Sequence, residues 1–350
     1  MLAMVVAVAL GVVVGATWVA RAMTSAPAVV ASSNGAVAKT PSEPSGARGT
    51  GSAAPSGTTR VSMRNVDFFV DPEIALHVRH LDGSMRSIAG GPVIFDDKTS
   101  FIIKIDDAEV GLSAKGLSAL LNKYVFAYRG APLKRLELTV QGNEILQRGI
   151  LHKGVDLPFE ITATLDVTPD GLIRLHPVKT KILGVNGAKL MKLFGLSLEK
   201  LLDLRGAKGA SVRGNDLFLE PDSILPPPII HGRVTAVRIE GDQVIQVFGP
   251  AAGETVRRPL VPPDAKAPNY MFYKGGTLRF GKMLMLEAEM QIVDLDPADP
   301  FAFDLDRYNS QLIAGYSRTL PDLGLEVHMR DIDKVSTEGA TRAPVGAKKP

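Results

Sequence analysis

Six histidines, His77, His80, His152, His176, His231 and His328, are the chain's most versatile chemical groups. His77 and His80 are three apart, a spacing that on a strand sends them to opposite faces. No HExxH, GxSxG, Walker A or GxGxxG pattern occurs. Zincin, serine-hydrolase and nucleotide chemistry therefore have no motif to start from. Cysteine is absent, which excludes disulfides, thiolate metal sites, a cysteine nucleophile and a lipid-modified cysteine anchor. Carboxylates remain. Asp294, Asp296, Asp299, Asp304 and Asp306 form an acidic run. Its spacing suggests calcium ligation, but the third ligand and the glycine of an EF-hand are missing, and Pro297 and Pro300 intrude. Two of these acids, such as Asp304 and Asp306, suit a hydrolase only if folding sets their carboxyls at a working separation. A solvated acidic loop is the plainer alternative. No catalytic residue, metal ligand or cofactor is assigned.

Charge is the next chemical signal. The net charge is only +3, too small to imply a nucleic-acid partner. That total hides two opposed regions. Between Leu172 and Gly214 nine basic residues face two acidic ones; between Met285 and Asp333 eleven acidic residues face three basic ones. A basic region suits an anionic membrane surface, with Lys189, Lys192 and Lys200 as the candidate contacts. The alternatives are that the two regions face each other or are ordinary solvated faces.

The elements that position these groups are mostly strands. Leu136, Leu138 and Val140 alternate with polar residues, as do Phe159, Ile161, Ala163, Leu165 and Val167, and Leu284, Leu286, Ala288, Met290 and Ile292. One dry and one wet face is the mark of antiparallel sheets. Strands are predicted near 74–80, 85–89, 101–110, 134–142, 144–154, 157–168, 171–183, 211–219, 230–240, 243–249, 277–293 and 324–330. Asp82-Gly83, Asp170-Gly171 and Gly241-Asp242 read as turns. Two stretches have helical spacing instead. From Ser113 to Tyr128, Leu117, Leu120, Leu121, Tyr124, Val125 and Tyr128 form one face, with Ser113 as N-cap and Gly130 as stop. From Asn186 to Leu204, Leu190, Met191, Leu193, Phe194, Leu198, Leu201 and Leu202 form a broader one. A third, short helix is predicted over Asp306 to Ser317. The broad second face is either enclosed by a curved sheet as core, in contact with lipid, or part of a protein interface.

The ends differ from the body. Residues 2–20 carry no charge, about the length that spans the ~30 Å hydrocarbon layer. Residues 1–21 are read as a signal peptide or a membrane anchor. Residues 22–60, rich in Ala, Ser, Gly, Thr and Pro, are read as a disordered tether, and residues 336–350 as a disordered tail. The body divides into 61–250 and a segment 251–335 that extends the sheet or forms a small added lobe. Of the 350 residues, 45% are apolar and 22% charged, which is globular composition.

The order from Asp106 to Phe248 resembles the LmeA-like and YceB-like phospholipid-binding proteins of bacterial envelopes. The stretches that carry the resemblance are EVGLSAKGLSALLNKYVF, VQGNEILQRGI, LPFEITATLDVTPDGLIRLHPVKTKILGVNGAKLMKLFGLSLEKLLDL and GNDLFLEPDSILPPPIIHGRVTAVRIEGDQVIQVF. A helix, an antiparallel meander, a second helix and a Pro-bearing crossover follow one another as in that family. The resemblance implies an α+β fold in which a long curved antiparallel sheet wraps one or two amphipathic helices, as in tubular lipid-binding (TULIP) proteins. It also implies an apolar groove for acyl chains. Candidate lining residues are Leu117, Leu121, Tyr124 and Val125 on the first helix, and Leu190, Met191, Phe194 and Leu198 on the second. Each looks the same as plain core in sequence. Segment 251–335 departs from the family pattern.

Three readings follow. The first is a non-catalytic envelope protein on the extracytoplasmic side, anchored or secreted, with phospholipid or another acyl lipid and the membrane as partners. The second is a structural or interaction module of the envelope with a packed interior. The third is a hydrolase using the acidic C-terminal loops.

Overall fold

Apolar residues at every second position make strands, and the computed structural model describes them over residues 57–182, 198–250, 253 and 257–335. The apolar leader, nearly all of the tether, the tail and most of the second helix, with Lys189, Leu190, Met191, Lys192 and Phe194, lie outside the described residues. β1 (Thr58–Asp71) begins inside the range read as tether. It pairs antiparallel with β2 (Ile74–Ser87) across a tight reversal. After β3 (Val93–Ile94), β4 (Phe101–Ser113) pairs with β2 and leads into helix α1 (Ala114–Leu120), whose last turn widens to i→i+5 bonding over Leu121–Val125. An antiparallel meander follows: β5 (Leu133–Gln141), β6 (Glu144–His152), β7 (Asp156–Val167) and β8 (Ile173–Ile182). A short helix α2 (Leu198–Leu201) precedes the hairpin of β9 (Ala210–Arg213) and β10 (Asp216–Leu219), and β10 pairs with β8. These strands form a six-stranded sheet in the order β5-β6-β7-β8-β10-β9.

The chain then returns to the first sheet. Helix α3 (Pro221–Ile224) and the Pro-rich crossover lead to β11 (Ile229–His231), beside β4, and to the hairpin of β12 (Val234–Glu240) and β13 (Gln243–Phe248), which adds to β4. On the far side of β1 the C-terminal segment extends the same sheet. Its members are β14 (Tyr270–Lys274), β17 (Glu289–Asp294), β18 (Phe301–Asp304), β19 (Tyr316–Thr319) and β20 (Leu325–Met329). The order is β12-β13-β4-β2-β1-β14-β17-β20-β19, with β11 beside β4 and β18 beside β1. β15 (Thr277–Phe280) and β16 (Met283–Leu286) join β3 in a small third sheet. Helix α4 (Tyr308–Ala314) packs near β20 and falls within the predicted third helix. The fold is thus a β-rich α+β arrangement dominated by antiparallel pairing. Among the described residues no helix is long and apolar enough to cross a membrane.

Several local expectations change for physical reasons. Asp82-Gly83 is not a turn, because β2 runs straight through it. Gly83 serves close packing instead, since a Cβ there would stand 2.3 Å from the Lys104 carbonyl oxygen of β4. The 211–219 strand is a hairpin turning at Gly214 (φ 61°). The 277–293 strand is three strands, and the alternation read through it crosses a reversal at Glu287 (φ 51°). Leu284 and Leu286 are therefore exposed while Ala288, Met290 and Ile292 are buried.

One continuous core fills the space between the large sheet and the six-stranded sheet and reaches into the C-terminal half. There it becomes aromatic. Phe95 packs against Phe101, Tyr273, Phe280 and Tyr308 with centroids 5.2–6.0 Å apart, and Phe68 of β1 stacks on Phe303 of β18 at 5.7 Å.

Candidate functional site

Helix α1 governs how the two sheets meet. Ser113 caps it, its Oγ accepting from the Gly116 N–H at 3.0 Å. The helix lies along β5, the edge of the six-stranded sheet, and its side chains substitute for a neighbouring strand. Asn122 donates to the Leu136 carbonyl at 2.7 Å and accepts from the Leu136 N–H at 2.9 Å. Ser118 Oγ accepts from the Leu138 N–H at 2.8 Å. Edge groups that would otherwise be open are thereby satisfied.

Held this way, Leu117 and Leu121, one helical turn apart, point into a cavity of about 70 Å³ between the sheets. Its walls come from β1, β2, β4 and β13 on one side and β5–β8 and β10 on the other, with α3 at one end. Among the described lining residues only Asp222 and Gln246 are polar. A second apolar space of about 220 Å³ continues over the six-stranded sheet, lined by Phe159, Ile161, Ile182, Leu198 and Leu202 among others. Leu175 and Leu217 line both. A third space, of about 540 Å³, is polar and adjoins the first at Ile105, Pro221 and Asp222. Asp222 is fixed in that shared wall. Its carboxylate accepts from the Gly232 N–H at 3.0 Å and lies 2.8 Å from His231 Nδ1. Position 232 must be glycine, because a Cβ would meet the Phe248 ring at 2.7 Å and Ile105 Cβ at 3.0 Å.

Of the lining residues predicted on the first helix, Leu117 and Leu121 border the cavity; Tyr124 and Val125 border none of these spaces. The wide i→i+5 turn rotates the last residues away from the face that ideal helical spacing assigns. Val125 is fully buried in plain core. Tyr124 donates its hydroxyl to Asp71 Oδ2 at 2.8 Å. Burial, then the bond to Asp71, pushes that hydroxyl up to about 12. Leu198 lines the second apolar space and Lys200 is exposed on the same short helix. The strand residues that form most of the walls, such as Ile103, Val110, Ile173 and Leu219, are apolar in sequence like any core residue. Nothing in their spacing shows which of them face open space.

The histidines and acids have other work. Each of the six histidines lies beside a carboxylate: His77 with Asp67, His80 with Asp107, His152 with Asp156, His176 with Asp216, His231 with Asp222 and His328 with Glu326. Of the acidic run, Asp294 and Asp304 are buried and Asp296 is half-buried, while Asp299 and Asp306 are exposed; farther along the chain Glu326 and Asp331 are buried as well. Asp304 Oδ1 accepts from the Asp306 and Arg307 N–H groups, and Asp306 pairs with Lys98. Neither borders the spaces described above. Asp294, Asp296 and Asp331 bring carboxylate oxygens within 4.8 Å of one another. Lys334 supplies positive charge beside them, 2.8 Å from Asp331 and 3.9 Å from Asp296, while Asn269 donates to Asp294. The Asp331 carboxylate holds the Lys334 ammonium above its ordinary value.

No family model matches the chain. No curated protein and no solved structure matches it either.

Proposed function

We propose that the protein binds the acyl chain of a phospholipid or related lipid in the apolar space between its two sheets, without chemistry, as a component of the cell envelope. The observation that carries this reading is the lining: an interior space bounded mostly by aliphatic side chains, polar only at Asp222 and Gln246 among the described residues, and sharing Leu175 and Leu217 with a second apolar space. Aliphatic walls suit a fatty tail because each buried methylene gains about 0.8 kcal/mol without any directed bond. The curved-sheet, helix-flanked plan of tubular lipid-binding proteins is the architecture this reading favours. Lys200, exposed beside Leu198, fits a role at an anionic membrane surface.

The small deep cavity favours a second reading, a packed structural module of the envelope. One experiment separates the two: lipid extraction from protein purified out of a bacterial host, followed by mass spectrometry and uptake of a fluorescent acyl lipid. About one lipid per protein is expected. Leu165→Trp, which places a ring in the cavity wall, is expected to lower uptake at least about tenfold with the fold retained, the equivalent of two methylenes' transfer energy. Clean protein that takes up no probe supports the packed module.

A further inference from the structure

We propose that the polar space is a head-group site for a zwitterionic phospholipid, with the phosphate against Arg233 and Arg257 and the ammonium against Asp106 and Glu220. The proposal rests on the acyl-chain reading above and specifies which lipid class that site takes. Placement is the leading argument. The polar space adjoins the deep apolar cavity at Ile105, Pro221 and Asp222, and that cavity adjoins the second apolar space at Leu175 and Leu217. Polar, apolar, apolar is the order of groups along an amphiphile.

Charge selects the head. Lys104, Arg233 and Arg257, with His231, share the polar space with Asp106, Asp170, Glu220 and Asp222. A head carrying only negative charge would meet four carboxylates, and an uncharged head would leave charges of both signs without a counterpart. A head with both signs complements the lining. Availability points the same way. Among the described residues Arg233 and Arg257 make no ion pair within 4.0 Å; Arg233 donates to the Pro169 carbonyl, and its charge also helps to lower the neighbouring Asp170 carboxyl. Glu220 accepts a bond from Ser223 Oγ at 2.8 Å through one oxygen and keeps the other. Lys104, 3.7 Å from Asp106, is close enough to share that carboxylate with an incoming ammonium. Asp222, by contrast, has both oxygens engaged and serves as wall.

The test offers the full-length protein three lipids with identical twelve-carbon chains: phosphatidylethanolamine, phosphatidylglycerol and diacylglycerol. Bound lipid is quantified in competition by native mass spectrometry. Phosphatidylethanolamine is expected to win over each of the others by about tenfold, the scale of one hydrogen bond to a charged group. Arg233→Ala with Arg257→Ala should bring phosphatidylethanolamine down to the diacylglycerol level. Asp106→Asn with Glu220→Gln should shift the preference toward phosphatidylglycerol; thermal melts establish that each variant is folded. Equal binding of diacylglycerol, or a preference for phosphatidylglycerol in the unaltered protein, overturns the head-group site while leaving the acyl-chain reading in place. Failure to bind any of the three overturns the acyl-chain reading itself.

Discussion

Asp71 ends β1, and three donors converge on it: the Glu73 N–H at 2.9 Å, the Tyr124 hydroxyl at 2.8 Å and Lys123 at 3.1 Å. Burial pushes its carboxyl up, but these donors outweigh burial and hold it below its ordinary value of 3.8. A depressed carboxylate contributes stability that is present above 3.8 and lost as pH falls through its lower folded-state value. Asp71→Asn is therefore expected to cost about 1–2 kcal/mol at pH 7, and the gap from the unaltered protein should be narrower at pH 3, below the ordinary value of 3.8. Denaturant unfolding at the two pH values checks this, and a gap independent of pH would show that charge plays no part. Tyr124 illustrates what was legible at this scale. Its place on an apolar helical face could be read from spacing, yet its hydroxyl partner comes from a strand 53 residues earlier, beyond the reach of any local pattern. His231 and Asp222 meet across the Pro-rich crossover in the same way.

At the scale of elements, period-two alternation marked β5 and β7, where apolar and polar residues alternate along the chain, although β6 between them buries Ile145, Leu146 and Gln147 in succession. The strands that escaped notice lack that contrast. Tyr270 to Tyr273 in β14 are all buried, so no alternation marks them. In β1 the buried apolar positions are Val61 and Met63 before Asn65 and Val66, Phe68 and Val70 after it, and Thr59 and Ser62 are buried as well. A left-handed residue, Asn65 at φ 51°, lies where the phase of the pattern changes. Helix α1 was legible, down to its Ser113 cap, but its role at the β5 edge was not. That role predicts a cost. Asn122→Ala leaves the Leu136 N–H and carbonyl without their partner, and at about 1–3 kcal/mol per unmet group a loss of about 2–4 kcal/mol is expected in denaturant unfolding. Hydrogen exchange at the Leu136 amide should accelerate, while the paired interior of β7 remains protected. An unchanged Leu136 amide would mean that the helix does not hold the edge.

For the whole molecule, the two sheets and α1 enclose space, and its volume sets what it can take. A methylene is about the size of a water, whose share of liquid volume is about 30 Å³. The 70 Å³ cavity and the 220 Å³ space beyond it then hold about two and about seven methylenes. Nine methylenes gain about 7 kcal/mol on transfer, within the range of about 4–15 kcal/mol that association costs in lost freedom. Aliphatic burial alone thus gives weak binding, and tight binding requires either head-group contacts or a wider gap between the sheets. Chain length separates the two. In a series of lipids with one head and saturated chains of six to sixteen carbons, affinity should rise about fourfold per methylene, the equivalent of 0.8 kcal/mol, up to about nine methylenes. Beyond that it should level off, because each further group must open packed core, at a cost that offsets its transfer energy. Titration by displacement of a fluorescent probe measures the slope. A fourfold rise that persists to sixteen carbons would show that the sheets part freely around the chain, and a flat series from six carbons onward would place the tail outside the protein altogether.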